Sequence, residues 1–228
     1  MRRFPPILRS AVLLGIALAA LPVNAAERSP SAWSLIEAVR ASLAADGRLQ
    51  ADFTQTYTPA GFLTGETESG RLALALPDCL RWDYTGAEAK SFLLCGRDAY
   101  SWNADDTEGR HQQVESRDEP GLDLLLLPLD HLRQRYEAAV TTTADGPTIK
   151  LTPRADAGAG AKSAPAPKGT GGRSPLAAEL ELDPTGKRLR SLSYTDRDNN
   201  ATRFAISGYR LLSDGSLFTP PALQWRED

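Results

Sequence analysis

Cysteine and histidine are scarce in this chain, which has two of each among its 228 residues. A structural zinc site usually takes four ligands from these residue types, so we expect no metal and no cofactor. No G-x-S-x-G motif is present, and His111 and His131 lie in polar or charged runs where we expect solvated side chains. The sequence therefore predicts no catalytic residues and favours a protein that is not an enzyme.

The chain also lacks an excess of positive charge, since 26 Lys and Arg stand against 29 Asp and Glu. A protein that binds a phosphate backbone needs an electropositive surface, so nucleic acid is not an expected partner. Long apolar runs are missing beyond residues 1–25, where three arginines flank the run from Ala11 to Leu21. Residues 1–25 predict a cleaved signal peptide, and hence an exported protein without a lipid-anchor cysteine.

What the sequence does contain is one helix followed by a long series of strands. Apolar residues recur at helical spacing from Ser31 to Ala45, with Ser29 and Pro30 as cap and first-turn residue and Gly47 as the stop. The period then changes to two, as in a strand with one dry face. Such strands are predicted around residues 49–57, 72–76, 80–84, 92–94 and 100–102, and again around 149–151, 180–182, 192–194 and 204–206.

Two stretches interrupt the strands. From Gly121 to Val140 leucines recur at spacings of three and four, and Pro128 divides this run into two predicted short helices. Residues 155–175 are mostly Ala, Gly, Pro, Ser and Lys, which bury too little apolar surface to become ordered. We interpret them as a flexible insertion in a single domain, 26–228. A linker between two domains is the alternative, but the segment that follows is short for an independent fold.

The two cysteines face each other in a predicted hairpin. If the turn between Trp82 and Phe92 centres on Ala87, then Trp82 opposes Phe92 and Cys79 opposes Cys95. Directly opposed residues have β-carbons about 4.5–5.5 Å apart, which is close to disulfide range. In an oxidising compartment we therefore predict a Cys79–Cys95 disulfide. A reactive redox pair is the rival interpretation, but no C-x-x-C motif is present.

The overall pattern predicts a mainly β fold. A long antiparallel meander with an aromatic-rich face, together with helices that carry apolar stripes, favours a curved sheet capped by helices. The helices either fill the concave face and make an ordinary core, or cover it loosely and leave an apolar cavity. The residue pattern alone leaves both arrangements open.

Short motifs along the chain resemble the LolA family of periplasmic lipoprotein carriers. The family's opening strand is matched by Leu49-Gln50-Ala51-Asp52-Phe53-Thr54-Gln55. Its next motifs are matched, in order, by Gly70-Arg71-Leu72 with Pro77, Leu80-Arg81-Trp82-Asp83-Tyr84, and Gly96 with Tyr100 and Trp102. The resemblance continues to the C-terminus with Leu151-Thr152-Pro153, Leu180 with Leu182, and Phe218-Thr219-Pro220-Pro221.

The resemblance implies an unclosed antiparallel β-barrel of about eleven strands, with helices as a lid over an apolar cavity. It implies a soluble, monomeric periplasmic carrier that takes the acyl chains of lipoproteins, or a related lipidic cargo, from an inner-membrane transporter to an outer-membrane acceptor. One position departs from the family. The carriers have an arginine before the proline matched by Pro77, and it bonds to the lid, whereas this chain has Leu76. That departure favours a divergent paralogue with another lipidic cargo.

On this basis we predict the side chains that meet the acyl chains. The cavity set is Phe53, Leu72, Leu74, Leu80, Trp82, Tyr84, Phe92, Leu94 and Trp102, and the lid set is Trp33, Ile36, Leu125 and Leu126. The first alternative is that all of them are ordinary core, in a binding or adaptor module that does not shuttle. The second is a lipid-modifying enzyme, which would need a nucleophile near His111 or His131.

Overall fold

The computed structural model describes residues 30–113, 125–154, 177–196 and 198–227. The predicted signal peptide (1–25) and the predicted insertion (155–175) lie outside these residues, as does the first part of the run that begins at Gly121. Within the described ranges, no helix is long and apolar enough to cross a membrane.

The described residues form two α-helices, a short 3-10 helix (Ser216–Phe218) and twelve strands. The helices are α1 (Ala32–Ala45) and α2 (Leu129–Arg135). The strands are β1 (Leu49–Thr58), β2 (Glu66–Ala75), β3 (Cys79–Thr85), β4 (Lys90–Cys95), β5 (Asp98–Asn103), β6 (Glu108–Gln113), β7 (Tyr136–Thr143), β8 (Gly146–Pro153), β9 (Ala177–Leu182), β10 (Leu189–Thr195), β11 (Ala201–Leu211) and β12 (Gln224–Glu227).

Helix α1 begins at a serine cap and ends at a glycine. The hydroxyl of Ser31 accepts a hydrogen bond from the backbone N–H of Ser34 at 3.1 Å, so the cap lies two residues later than the predicted Ser29. Gly47 follows the helix with φ of 77°, a conformation that disfavours residues with a β-carbon. The buried side chains recur at helical spacing and form one apolar stripe: Ala32, Leu35, Ile36, Val39 and Leu43.

All twelve strands belong to one sheet, ordered β12-β6-β5-β4-β3-β2-β1-β11-β10-β9-β8-β7. Strands β2 to β6 extend outward from β1; the chain then reaches the opposite edge through α2, and β7 to β11 return to β1. Neighbours are antiparallel except β12, which runs parallel to β6. The edge strands β12 and β7 do not pair with each other. This confirms the predicted unclosed, mainly β fold with helices, with twelve described strands rather than about eleven.

Strands β6 and β7 depart from the sequence-based prediction. Helix α2 ends at Arg135, and the chain continues as β7, which pairs with β8 along its whole length; the predicted helix up to Val140 is therefore wrong. The last residues of β7 are β-branched and fit a strand better than a helix. The sequence of β6 shows no apolar alternation and so did not predict a strand. The strand is held instead by backbone pairing with β5 on one side and with β12 on the other.

The β3–β4 hairpin carries the cysteines. Its register places Cys79 opposite Cys95 and Trp82 opposite Phe92, as expected for a turn centred on Ala87. Cys79 and Cys95 form a disulfide, with a Cα–Cα distance of 4.2 Å. Successive side chains of a strand alternate between faces, so the disulfide lies on the face opposite Trp82. We call that face the outer face and the face that packs against α1 the inner face.

Residues 212–223 cross the outer face between β11 and β12, and we call them the C-terminal strap. Arg81, on the outer face of β3, donates to the carbonyl oxygen of Leu217 in the strap at 3.0 Å and to the carboxylate of Asp83 at 2.9 Å. The Sγ atom of Cys95 lies 3.8 Å from the carbonyl oxygen of Phe218. The strap is thus held over the disulfide hairpin and delivers β12 to the sheet edge.

Removing the disulfide should lower stability without changing the fold. The crosslinked cysteines are 16 residues apart in sequence, and a loop of this size contributes about 3 kcal/mol by restricting the unfolded chain. We expect the double variant Cys79→Ser, Cys95→Ser to lose about that much free energy of unfolding in urea denaturation. Reductant should destabilise the wild type similarly and leave the variant unchanged. Equal stability of wild type and variant would contradict this account.

Candidate functional site

Most of the predicted cavity residues lie together on the inner face of β1 to β4. Cross-strand pairing places Leu72 opposite Trp82, and Trp82 opposite Phe92. Directly paired residues share a face, so these pairs extend one surface across neighbouring strands. The surface contains eight of the nine predicted residues: Phe53, Leu72, Leu74, Leu80, Trp82, Tyr84, Phe92 and Leu94.

Five rings of the inner face contact one another, and we call them the aromatic row. They are Trp82, Phe92, Tyr84, Phe53 and Phe204. The ring centroids of Trp82 and Phe92 are 5.4 Å apart and nearly parallel, and Phe92 meets Tyr84 edge-on at 6.0 Å. Tyr84 lies 5.2 Å from Phe53, which lies 5.9 Å from Phe204. The sequence predicted the strand that carries Phe204, but the predicted cavity set did not include Phe204 itself. The row therefore reaches from β4 to β11.

A glycine makes room for the middle of the row. Gly70 pairs with Phe53 on one side and with Tyr84 on the other. A β-carbon on Gly70 would lie 2.7 Å from the ring of Phe53 and 2.1 Å from the carbonyl oxygen of Asp83. The ring of Phe53 thus lies over the glycine, which the sequence had included in the Gly70-Arg71-Leu72 motif.

Two elements cover the inner face, helix α1 and residues 125–127. We call residues 125–127 the lid segment. Ile36, Leu125 and Leu126 are each 3% exposed, whereas Trp33 is only partly buried against the core. Beneath them, Leu72, Leu74 and Leu80 are completely buried, in the same cluster as the lid residues. In this conformation the protein's own side chains fill the space between the lid and these strands.

Trp102 does not belong to this surface. Strand pairing places Trp102 opposite Ser91, while Phe92 pairs with Ser101, so the ring of Trp102 projects from the outer face. There the guanidinium of Arg81 lies 5.0 Å from its centroid, and the ring of Trp225 lies 6.0 Å away. The ring of Trp102 is therefore not part of the inner face of β1 to β4, because β5 carries its large aromatic residues on the outer face, although Trp102 also lines the open groove beside Phe92.

An open groove continues the inner face beyond the aromatic row. The volume of the groove is about 590 Å³. Phe92 lines the groove and also belongs to the aromatic row. The other lining residues come from the ends of β4, β5 and β6 and from β12: Lys90, Ser101, Trp102, Asn103, Asp106, Thr107, Glu108, Gly109, Arg110 and Arg226. The surface therefore changes from apolar to polar where the lid ends.

Charged side chains at this end of the inner face are mostly paired. Lys90 lies 2.7 Å from a carboxylate oxygen of Glu68, and its ammonium is 4.6 Å from the ring centroid of Tyr84. Arg226 pairs with Glu108. Burial, with a smaller contribution from Glu68, raises the pKa of Tyr84, so its hydroxyl stays protonated and donates to the side-chain oxygen of Gln55. A neutral tyrosine thus lies at the border between the apolar and charged regions.

An arginine of α1 holds the lid segment. The guanidinium of Arg40 donates to the carbonyl oxygen of Leu127 at 2.5 Å, and burial lowers the pKa of Arg40. The family arginine expected before Pro77 is replaced by Leu76, which packs at the edge of the core. A hydrogen bond between α1 and the lid segment is nevertheless present in this chain, made by Arg40, which the sequence did not single out.

His111 lies in a polar cluster on the outer face rather than in solvent, so the predicted solvated role is wrong for this residue; His131 is exposed as expected. The two ring nitrogens of His111 are each 2.9 Å from a carboxylate oxygen, Nε2 from Asp98 and Nδ1 from Glu227. Carboxylates only accept, so both bonds together require the imidazolium form. These bonds raise the pKa of His111, first through Glu227 and then through Asp98.

Replacing Arg40 by methionine should destabilise the lid. The variant keeps the apolar stem but leaves the carbonyl of Leu127 without its donor, which costs about 1–3 kcal/mol. We expect a fall of this size in the free energy of unfolding and faster amide exchange around the buried Leu132. Arg133→Met is the matched control, since Arg133 is exposed and lies 5.8 Å over the ring of Trp33; it should cost less. Equal losses would contradict a latch at Arg40.

The contribution of His111 to stability should fade as the pH rises. It is fully present below the ordinary histidine pKa of 6.5, where the ring is charged even when unfolded, and is lost as the pH passes the raised folded pKa. The stability difference between wild type and His111→Gln should therefore be larger at about pH 5.5 than at about pH 8.5 in urea denaturation. A pH-independent difference between wild type and His111→Gln would contradict the charged state of His111.

Comparison with known proteins begins with sequence. No family model matches the chain. The chain is similar to an outer-membrane lipoprotein carrier protein of Chromobacterium violaceum, with 29% identity over 102 residues. The matched region covers 45% of this chain and 43% of the relative, so the similarity spans less than half of that protein's length.

Among solved structures, the chain is similar to an uncharacterized conserved protein from Thermus thermophilus, with a TM-score of 0.49 and 10% identity over 86% of this chain and 98% of that one. A LolA superfamily protein from Nitrosomonas europaea aligns with a TM-score of 0.44 and 9% identity over 84% and 99% of the two chains. The sequence similarity to the Chromobacterium carrier, which spans less than half of either chain, agrees with the resemblance to lipoprotein carriers that the short motifs indicated.

Proposed function

We propose that this protein is a soluble periplasmic carrier that shields the acyl chains of lipoproteins, or of a related lipidic cargo, during transfer from the inner to the outer membrane. The observation that carries the proposal is the aromatic row, which is accessible at Phe92 in the groove and continues through Tyr84 and Phe53 to Phe204 in the core. An acyl chain requires such a continuous apolar surface between solvent and interior.

Uptake of an acyl chain requires the lid segment to withdraw, because Leu72, Leu74 and Leu80 are completely buried beneath the cover. Each methylene removed from water contributes about 0.8 kcal/mol. The bound acyl chain takes the place of Leu125 and Leu126, whose apolar contacts with the strands are lost when the lid opens. The net affinity is therefore the free energy of burying the acyl chain minus that of the lost lid contacts, and the two are similar in size. A closing lid thereby keeps binding weak enough for release.

The lid has features of an element that moves at low cost. Helix α2, directly after the lid segment, has seven residues, fewer than an isolated helix needs for stability in water. Pro128 precedes it and provides no side-chain cap. The Arg40 bond to Leu127 is therefore a main polar tie between the lid segment and α1.

The proposed location and partners follow from export. The predicted signal peptide at 1–25 directs the chain out of the cytoplasm, and a Cys79–Cys95 disulfide is compatible with an oxidising compartment. We propose an inner-membrane transporter as the source of cargo and an outer-membrane acceptor as its destination. Leu76, in place of the family arginine, favours a lipidic cargo that differs from that of the general lipoprotein carriers.

A second candidate function is a periplasmic binding or adaptor module of the same fold that does not shuttle. The filled inner face favours it, as does an exposed apolar pair in the loop between β1 and β2. Phe62 is 67% exposed there and Leu63 is 103% exposed. In this alternative the inner face is core and the loop contacts a partner.

The carrier function can be tested with an uncharged brominated acylglycerol, whose bromine quenches tryptophan fluorescence on contact. We expect the probe to quench the wild type and to lose most of this effect in Trp82→Phe, because Trp82 belongs to the aromatic row. Trp225→Phe is the matched control and should retain the quenching, since Trp225 packs on the outer face over Gly109. Mass spectrometry of the protein extracted from periplasm should also find lipid or lipoprotein.

Two results would reject carriage. The first is an absence of quenching in the wild type together with protein that is free of lipid and lipoprotein. The second is quenching that depends on Trp225 and not on Trp82, which would place the probe on the outer face. Loss of binding to a periplasmic partner in Phe62→Ser, with an unchanged inner face, would then favour the adaptor module.

A further inference from the structure

The groove changes polarity along a single row of side chains. Across the sheet, Trp82 pairs with Phe92, Phe92 with Ser101, and Ser101 with Arg110; Arg110 in turn is paired with Arg226 on β12. Paired residues share a face, so this row, which we call the transverse row, runs from two stacked aromatic rings to two guanidinium groups. Neighbouring strands are about 4.8 Å apart, so Phe92 and Arg110 are separated by about 10 Å.

The cations of the groove are not equivalent. Lys90 is neutralised by Glu68 at 2.7 Å, and Arg226 by Glu108. The carboxylate of Asp106 accepts a hydrogen bond from the side-chain amide of Asn103 at 2.7 Å. Among the described residues, no acidic side chain lies within ion-pair distance of Arg110, whose side chain is exposed in the groove. In the described part of the groove, Arg110 is therefore a cation without an ion-pair partner near the apolar ring of Phe92, while Asp106, bonded to the neutral amide of Asn103, keeps its negative charge.

We propose that the groove binds the anionic head group of a single-chain amphiphile, a long-chain carboxylate, with Arg110 as the cation and the chain directed past Phe92 along the aromatic row. The proposal rests on the proposed carrier function and names the class of its cargo. A guanidinium matches a carboxylate in charge and in the geometry of its donors. Ser101, the neighbour of Arg110 in the transverse row, supplies a hydroxyl to the same head group.

The test compares three amphiphiles with one chain length, all below their critical micelle concentrations. These are dodecanoate, uncharged monododecanoylglycerol and cationic dodecyltrimethylammonium, titrated calorimetrically into wild type, Arg110→Gln and Arg97→Gln. Arg97 is the matched control, because it is exposed in the turn between β4 and β5 and does not line the groove. Circular dichroism and thermal unfolding check that the variants fold.

We expect dodecanoate to bind the wild type most tightly and to lose about tenfold in affinity in Arg110→Gln, since a charge-assisted bond is removed at a partly solvated site. The uncharged ester should bind both proteins equally, and Arg97→Gln should behave as the wild type. Added salt should weaken dodecanoate binding and leave the ester unaffected. Acetate should not displace dodecanoate, because the acyl chain is required.

The outcomes separate this proposal from the carrier function. If the ester and dodecanoate bind equally well, and Arg110→Gln changes neither, the head-group site is wrong while the carrier function stands. If acetate competes as strongly as dodecanoate, the groove is a site for free anions and the proposal is overturned. If none of the three amphiphiles binds the wild type, the carrier function fails and the head-group site fails with it.

Discussion

The inner face of one open sheet must be kept out of water, and the helix, the lid segment and the groove are all arranged around that requirement. A twelve-stranded sheet that does not close leaves an apolar inner face that other elements must cover, and burying apolar surface is the dominant stabilising term in folding. One helix and the lid segment supply the cover, and Arg40 joins them. Because the cover ends near Phe92, the aromatic row is sealed along most of its length and reaches solvent at the groove.

The groove is a consequence of how the chain ends. The C-terminal strap crosses the outer face, is held there by Arg81, and places β12 beside β6. Strand β6 then has backbone partners on both sides, so its inner side chains need not be apolar, and Arg110 can face the groove. On the outer face the same arrangement puts Glu227 against His111 and Trp225 over Gly109. One strand therefore shapes both faces of this edge.

Local alternation was sufficient to predict which side chains of β1 to β4 share a face, because each strand has one dry side and turn geometry sets the β3–β4 register. The same reasoning failed for Trp102. The inner positions of β5 are Ala99, Ser101 and Asn103, none of them large and apolar, whereas Tyr100 and Trp102 face the side that β12 covers. A pattern cannot show that a second face is covered when the cover comes from a segment more than one hundred residues away.

Local patterns in the sequence are enough to predict the strand periodicity, the apolar stripe of α1, the facing cysteines and the motifs that resemble the lipoprotein carriers, because each depends on contacts within a helix, a hairpin or a short run. The three-dimensional packing was needed to show that the lid fills the inner face and that Arg40 holds the lid. Strand pairing across the sheet was needed to show that Arg110 lies in line with Phe92. These features join elements distant in sequence, and their geometry follows from sheet order, which no local spacing encodes.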